Sequence, residues 1–182
     1  MEIQNHILTQ ATWCPSENYN ERPDESDISL LVVHNISLPP GEFGGPYIQA
    51  LFCNTLDCRA DPSFDSLQGL KVSAHLFIRR SGEIIQFVPF NKRAWHAGVS
   101  AYEGREQCND FSIGIELEGT DELPYEPIQY QMLADVTSAL IKHYPKMNLE
   151  RMAGHCDIAP GRKTDPGDAF DWSLFKKQIS KV

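Results

Sequence analysis

The sequence has no apolar run approaching the roughly 20 residues that a membrane-spanning helix needs, so a bilayer span is not expected. It also lacks a basic excess. Sixteen Lys and Arg against 25 Asp and Glu leave a net charge of −9, which argues against a general binder of nucleic acid or anionic membranes. An acidic substrate would need a local cluster of cations to recruit it. Residues 1–15 contain no Lys or Arg and no hydrophobic stretch of signal-peptide length. Five cysteines, an odd number without a paired pattern, do not make a secreted disulfide scaffold. Reduced thiols in a cytosol are the expectation. There is no internal repeat and no low-complexity segment.

What is present fits one packed domain spanning residues 1–182, with a core over 28–182 and an extended N-terminal lead-in over 1–27. A chain of 182 residues buries roughly 70% of its unfolded surface. Its 41% hydrophobic content, three Trp and nine Phe supply the material for a core. The run Ile28-Ser29-Leu30-Leu31-Val32-Val33 reads as a central strand buried on both faces, and it ends in His34-Asn35 before the breakers Pro39, Pro40 and Gly41. A histidine at the mouth of a buried strand stands where α/β enzymes place functional groups. Taken alone, it is more simply a hydrogen-bonded residue at the core edge.

Pro46 can begin a short helix through Phe52. Residues 72–78 and 83–88 read as a hairpin about Ser81-Gly82, followed by an aromatic loop at Ala94-Trp95-His96-Ala97-Gly98. Phe111 to Glu118 alternates, with Phe111, Ile113, Ile115 and Leu117 on one face and Ser112, Gly114, Glu116 and Glu118 on the other. The small residues at 112 and 114 leave space beside Glu116, as a cleft floor would. Pro127 opens a helix in which Ile128, Met132, Val136, Ala139, Leu140 and His143 fall at helical spacing up to Pro145. Asp171 can cap a last helix burying Leu174, Phe175 and Ile179.

The densest chemistry lies in Ala153 to Gly167. His155 and Asp165 stand ten positions apart, and Pro160, Gly161, Pro166 and Gly167 point to a shaped loop rather than a helix. With His34 they form a candidate set of two imidazoles and one carboxylate, suited to a zinc ion that keeps one position open for water. Glu116 is the first candidate for the proton-transferring carboxylate and Glu118 the second. Lys163 would offset charge developing on an attacked carbonyl oxygen. Nucleophilic catalysis by Cys156 beside His155 competes, but neighbours in sequence seldom reach each other correctly.

Four segments taken together, Leu31–Asn35, Ala94–Gly98, Phe111–Glu116 and Gly154–Gly167, resemble the zinc N-acetylmuramoyl-L-alanine amidases. These belong with bacteriophage lysozyme-like amidases and peptidoglycan recognition proteins, and the resemblance is strongest to the cytosolic branch that recycles anhydromuropeptides. It spans nearly the whole chain. It implies an α/β (α+β) domain with a central mixed β-sheet flanked by helices, and one Zn²⁺ per chain held by His34, His155 and Asp165. Glu116 would be the catalytic acid/base and Lys163 its transition-state partner. The substrate would be a small-molecule anhydromuropeptide, cut by a bacterial cytoplasmic monomer with no nucleic-acid or membrane partner. Asn35, Lys71, His75, Trp95, Arg105 and Gln107 are the expected substrate contacts, with His96 shaping the groove wall. Lys71 and Gln107 stand where arginine is common in that branch. Lys keeps the charge without the bidentate fork and Gln loses it, which weakens the expected grip on stem-peptide carboxylates. The alternatives are a non-catalytic binding module on the same scaffold and a zinc peptidase. Such modules have usually lost a zinc ligand, and the chain has no His-Glu-x-x-His helix.

Overall fold

The computed structural model describes residues 1–179, so the last three residues of the expected domain lie outside the described part. Six strands build the main sheet: β1 (Thr12–Trp13), β2 (Leu30–Ile36), β3 (Leu76–Ile78), β4 (Ile84–Gln86), β5 (Ser112–Glu118) and β6 (Met152–Gly154). Their spatial order is β6-β2-β5-β3-β4-β1. The sheet is mixed, as expected: β6, β2, β5 and β3 run parallel, β4 returns antiparallel to β3, and β1 lies parallel to β4. The helices are α1 (Tyr47–Phe52), α2 (Pro127–His143), α3 (His155–Ile158) and α4 (Trp172–Ile179). No helix among the described residues is long and apolar enough to cross a membrane.

Alternation along β2 and β5 divides the core. Leu31, Val33, Ile113, Ile115 and Leu117 pack with Leu133, Val136, Leu140 and Phe175 of α2 and α4. On the opposite face Leu30 and Val32 pack with Ala97, Phe111 and Ile158, so Phe111 lies on the side opposite its expected one. It precedes the strand and escapes the strand's alternation. α2 matches its expected span, but its buried stripe runs through Tyr130, Leu133, Val136 and Leu140 while Ile128 is exposed. Asp171 caps α4 by accepting from the Leu174 amide at 2.9 Å. Leu174 itself is exposed, and Phe175 and Ile179 alone carry the buried side.

Two expectations change more deeply. The lead-in is woven into the fold: β1 adds a strand to the sheet edge, and Tyr19–Glu21 pairs antiparallel with Lys92–Ala94. Between them and the core, Arg22 is 5% exposed and donates to the carbonyls of Phe90, Asn109, Asp110 and Ser112 at 2.7–3.3 Å. Burial lowers its guanidinium to about 10. The segment from Ala153 is not all loop either. It begins in β6 and passes straight into the helical turn α3.

Candidate metal centre and groove

Parallel pairing places the site. Register sets Glu116 of β5 beside His34 of β2, and Gly154 of β6 beside Val33, so His155 leaves β6 next to His34. Three neighbouring parallel strands thus deliver a histidine, a glutamate and a second histidine at their carboxyl ends, where open α/β sheets bind ligands. The loop after α3 then returns Asp165, and the Cys156 amide donates to the Asp165 carbonyl at 2.9 Å to close it. Gly167 has φ +78° and passes so close to Asp121 that a side chain would collide with it. The Asn35 amide ties the same turn down, donating to the Pro166 carbonyl at 3.1 Å and to Asp121 Oδ1 at 2.8 Å.

The nitrogens His34 Nδ1 and His155 Nδ1 lie 3.0 Å apart, and each is 3.1 Å from Asp165 Oδ2. This is the one His/Cys/Asp/Glu cluster of metal-holding geometry among the described residues. Ligand atoms about 3.3 Å apart follow from tetrahedral bonds of roughly 2.0–2.1 Å, so the triangle has the size zinc requires. The chemistry of the donor set agrees. His155 Nε2 lies 3.2 Å from the Ala97 carbonyl, which can take its hydrogen and so leave the Nδ1 lone pair free to ligate. Lone pairs and a carboxylate at such separations call for a cation between them. Burial lowers the His34 imidazole to about 4, which favours the neutral, ligating form. Burial opposes ionisation of Asp165, but its contacts with His155 and His34 outweigh it and hold the carboxyl below the usual range.

A cavity of about 270 Å³ opens over this triangle, lined by Asn35, Leu51, Trp95, His96, Glu116 and Lys163 among others. Glu116 is partly open to it, yet its Oε2 is shielded and has no hydrogen-bond partner. Burial pushes the Glu116 carboxyl well above the ordinary range, the charge of Asp165 adds to that push, and Lys163 opposes it. The exposed Lys163 lies on the wall of this cavity and of the two grooves on either side of its loop.

The remaining expected contacts divide. Trp95 and Asn35 line the cavity. Lys71 lies beyond it, on an adjoining hollow that shares Leu51, Leu67 and Leu70. Gln107 lines a separate groove with Gly98, Ser100 and Arg162. His75 does not line the groove: it is 0% exposed, accepts from the Gly114 amide at 3.0 Å through Nδ1, and its Nε2 donates to the Lys92 carbonyl at 3.0 Å. Nor does Arg105, whose guanidinium stacks 3.9 Å over the Phe111 ring and pairs with Asp27 at 2.5 Å. Glu118 is buried and fully engaged, accepting from the Gly44 amide at 2.6 Å and the Arg80 amide at 2.9 Å. Cys156 has no histidine in hydrogen-bond reach, and burial raises its thiol. All five cysteines are free.

Arg162 escaped sequence reasoning, and His96, expected on the groove wall, does more than line it. The Arg162 guanidinium donates to the carbonyls of Ala97 at 2.6 Å and Val99 at 2.7 Å, pinning the chain beside His155. His96 proves to be a direct partner of His34, with His34 Nε2 2.9 Å from His96 Nδ1. The small residues Ser112 and Gly114 carried that signal, because the space they leave is filled by the His96 ring.

The model of the N-acetylmuramoyl-L-alanine amidase family matches residues 24–168. The chain belongs to that family. It is an N-acetylmuramoyl-L-alanine amidase. It is 62% identical over 181 residues to the 1,6-anhydro-N-acetylmuramyl-L-alanine amidase AmpD of Escherichia coli, covering 100% of this chain and 98% of that one. It is 48% identical to AmpD of Haemophilus influenzae, covering 98% and 97%. A crystal structure of a selenomethionine derivative of AmpD superposes with a TM-score of 0.96 at 61% identity, over 98% of this amidase and 99% of that chain. The E. coli amidase AmiD, in complex with the substrate anhydro-N-acetylmuramic acid-L-Ala-D-gamma-Glu-L-Lys, matches at a TM-score of 0.62 and 28% identity, over 90% of this amidase and 66% of AmiD.

Proposed function

We propose that the amidase hydrolyses the amide between the lactyl group of 1,6-anhydro-N-acetylmuramic acid and L-alanine, acts in peptidoglycan recycling in a bacterial cytoplasm, and depends on one zinc ion held by His34, His155 and Asp165. The full-length likeness to AmpD supports the substrate. The observation that carries the zinc reading is the triangle itself: three ligand atoms within 3.1 Å of one another at the foot of a cavity, with Glu116 Oε2 unpartnered on its wall. Zinc in this position supplies Lewis-acid polarisation of the amide carbonyl and lowers the pKa of water from 15.7 to about 7.

The side chains do the rest. Glu116, with an elevated pKa and a free oxygen, takes the proton of the attacking water and passes it to the departing alanine nitrogen. Lys163 presents its ammonium to the oxygen on which negative charge grows. Trp95 and Asn35 hold the muramyl end against the cavity wall. Lys71, on the hollow adjoining the cavity, and Gln107, on the separate groove, would meet the stem peptide without the bidentate fork of an arginine.

The test is release of free tripeptide from an anhydromuramyl-tripeptide by purified protein, before and after chelation and zinc restoration. Turnover should stop with chelator and return with zinc. Full turnover in protein shown by metal analysis to be zinc-free would overturn the reading, as would zinc-loaded protein that binds the substrate without cleaving it.

A further inference from the structure

Three hydrogen bonds in series join His34 to a main-chain carbonyl, and each has one allowed direction. Ser112 Oγ lies 2.6 Å from the Cys108 carbonyl, which can only accept, so the single hydroxyl hydrogen is spent there. Ser112 Oγ must then accept from His96 Nε2, 3.1 Å away. His96 is buried and no carboxylate hydrogen-bonds to it among the described residues, so it is a neutral imidazole with its hydrogen on Nε2 and a bare Nδ1. That bare Nδ1 faces His34 Nε2 at 2.9 Å, and His34 Nε2 must donate to it. The hydrogen of His34 is thereby committed to the far side of its ring, and its Nδ1 turns a lone pair towards His155 and Asp165.

We infer that His96, oriented by Ser112, is the positioning residue that locks His34 into the tautomer able to bind a metal through Nδ1. The inference deepens the proposed function, because it rests on His34 being a metal ligand. The opposite tautomer would point an N–H at Asp165 and fill the metal position with a hydrogen bond. Ligating histidines ordinarily pass their second N–H to a carboxylate, a backbone carbonyl or water. Here a neutral imidazole does that work, so Asp165 stays the one anionic ligand in the triangle.

The surroundings are built for this ring. A side chain at Gly114 would collide with Cγ and Nδ1 of His96, so the strand has to be bare there. Asn109 Oδ1 accepts from the backbone amides of His96 at 3.2 Å and Ala97 at 2.8 Å, which fixes the loop that carries the ring. One face of β5 thus offers an acceptor at 112, a space at 114 and a reactive carboxylate at 116.

The test uses nitrogen-15 histidine NMR on metal-free wild-type protein, with zinc affinity measured by chelator competition. Both His34 and His96 should show the Nε2–H tautomer; an Nδ1–H tautomer at either would overturn the inference without any variant. His96→Phe removes the acceptor and should weaken zinc binding about 10–100-fold. His96→Gln, whose amide oxygen can still accept, should recover most of that loss. Ser112→Ala should cost less and mix the tautomers of His96. Unchanged zinc affinity in both His96→Phe and Ser112→Ala would refute the role of His96 alone. A wild-type protein that binds no zinc would refute the metal reading itself.

Discussion

Glu116 and Glu118 stand two residues apart on one face of β5 and have opposite lives. Glu118 is saturated. Amides from two different loops, at Gly44 and Arg80, donate to it, and Arg79 lies 3.5 Å away. Glu116 has an oxygen shielded from solvent and given nothing. A fully satisfied buried carboxylate holds a structure together, because every lone pair is already in use. An unsatisfied one costs stability and keeps its basicity available for a proton that arrives only during reaction. In the proposed reaction the chemistry falls to the carboxylate the fold neglects.

The sharpest way to break this contrast is the same substitution at each position. Glu116→Gln should lower turnover of anhydromuramyl-tripeptide by about 10²–10⁴ while zinc content stays at one per chain. Near-full activity in that variant would end the assignment. Glu118→Gln should reverse the pattern. It turns one acceptor oxygen into an amide NH₂ facing a backbone N–H, so urea unfolding should show a loss of about 1–3 kcal/mol, with turnover falling less than tenfold. The smallest effect sharpens the comparison through pH. The folded-state pKa of Glu116 is raised above its ordinary 4.5, so the stability linked to its protonation is complete below about 4.5 and is lost as pH rises through the folded value. Metal-free Glu116→Gln should therefore be more stable than metal-free wild type at pH 8. The gap should close by pH 4.5, and a gap that does not depend on pH would show the carboxyl to be unstrained.

Much of this was legible because it is local. The apolar run of β2 and the alternation of β5 announce two central strands, Pro127 marks the start of α2, and Asp171 caps α4. His34, His155 and Asp165 could be grouped because breakers and strand ends are local signals too. What failed is non-local. β6 is three residues long and exists through parallel pairing with β2, so its own sequence reads as loop. β1 is a two-residue strand, too short for any periodicity, and the lead-in therefore looked detached. His75 and Arg105 were assigned to the groove by their chemistry, whereas the backbone groups around His75 and the Phe111 ring beneath Arg105 claim them. His96 was placed on the groove wall, which it does line, but the space signalled at Gly114 did not show in sequence which ring would fill it.

The buried guanidinium of Arg22 bears on how this protein could be cut or grafted. The stretch that matches the family model begins at residue 24, two positions after it, although the likeness to AmpD runs the whole length of the chain. A chimera that swaps in the shared stretch alone would leave the carbonyls of Phe90, Asn109, Asp110 and Ser112 without their donor in the middle of the fold. Two of those carbonyls belong to residues that touch His96. The natural unit of transplantation here therefore starts upstream of the boundary that the family match draws.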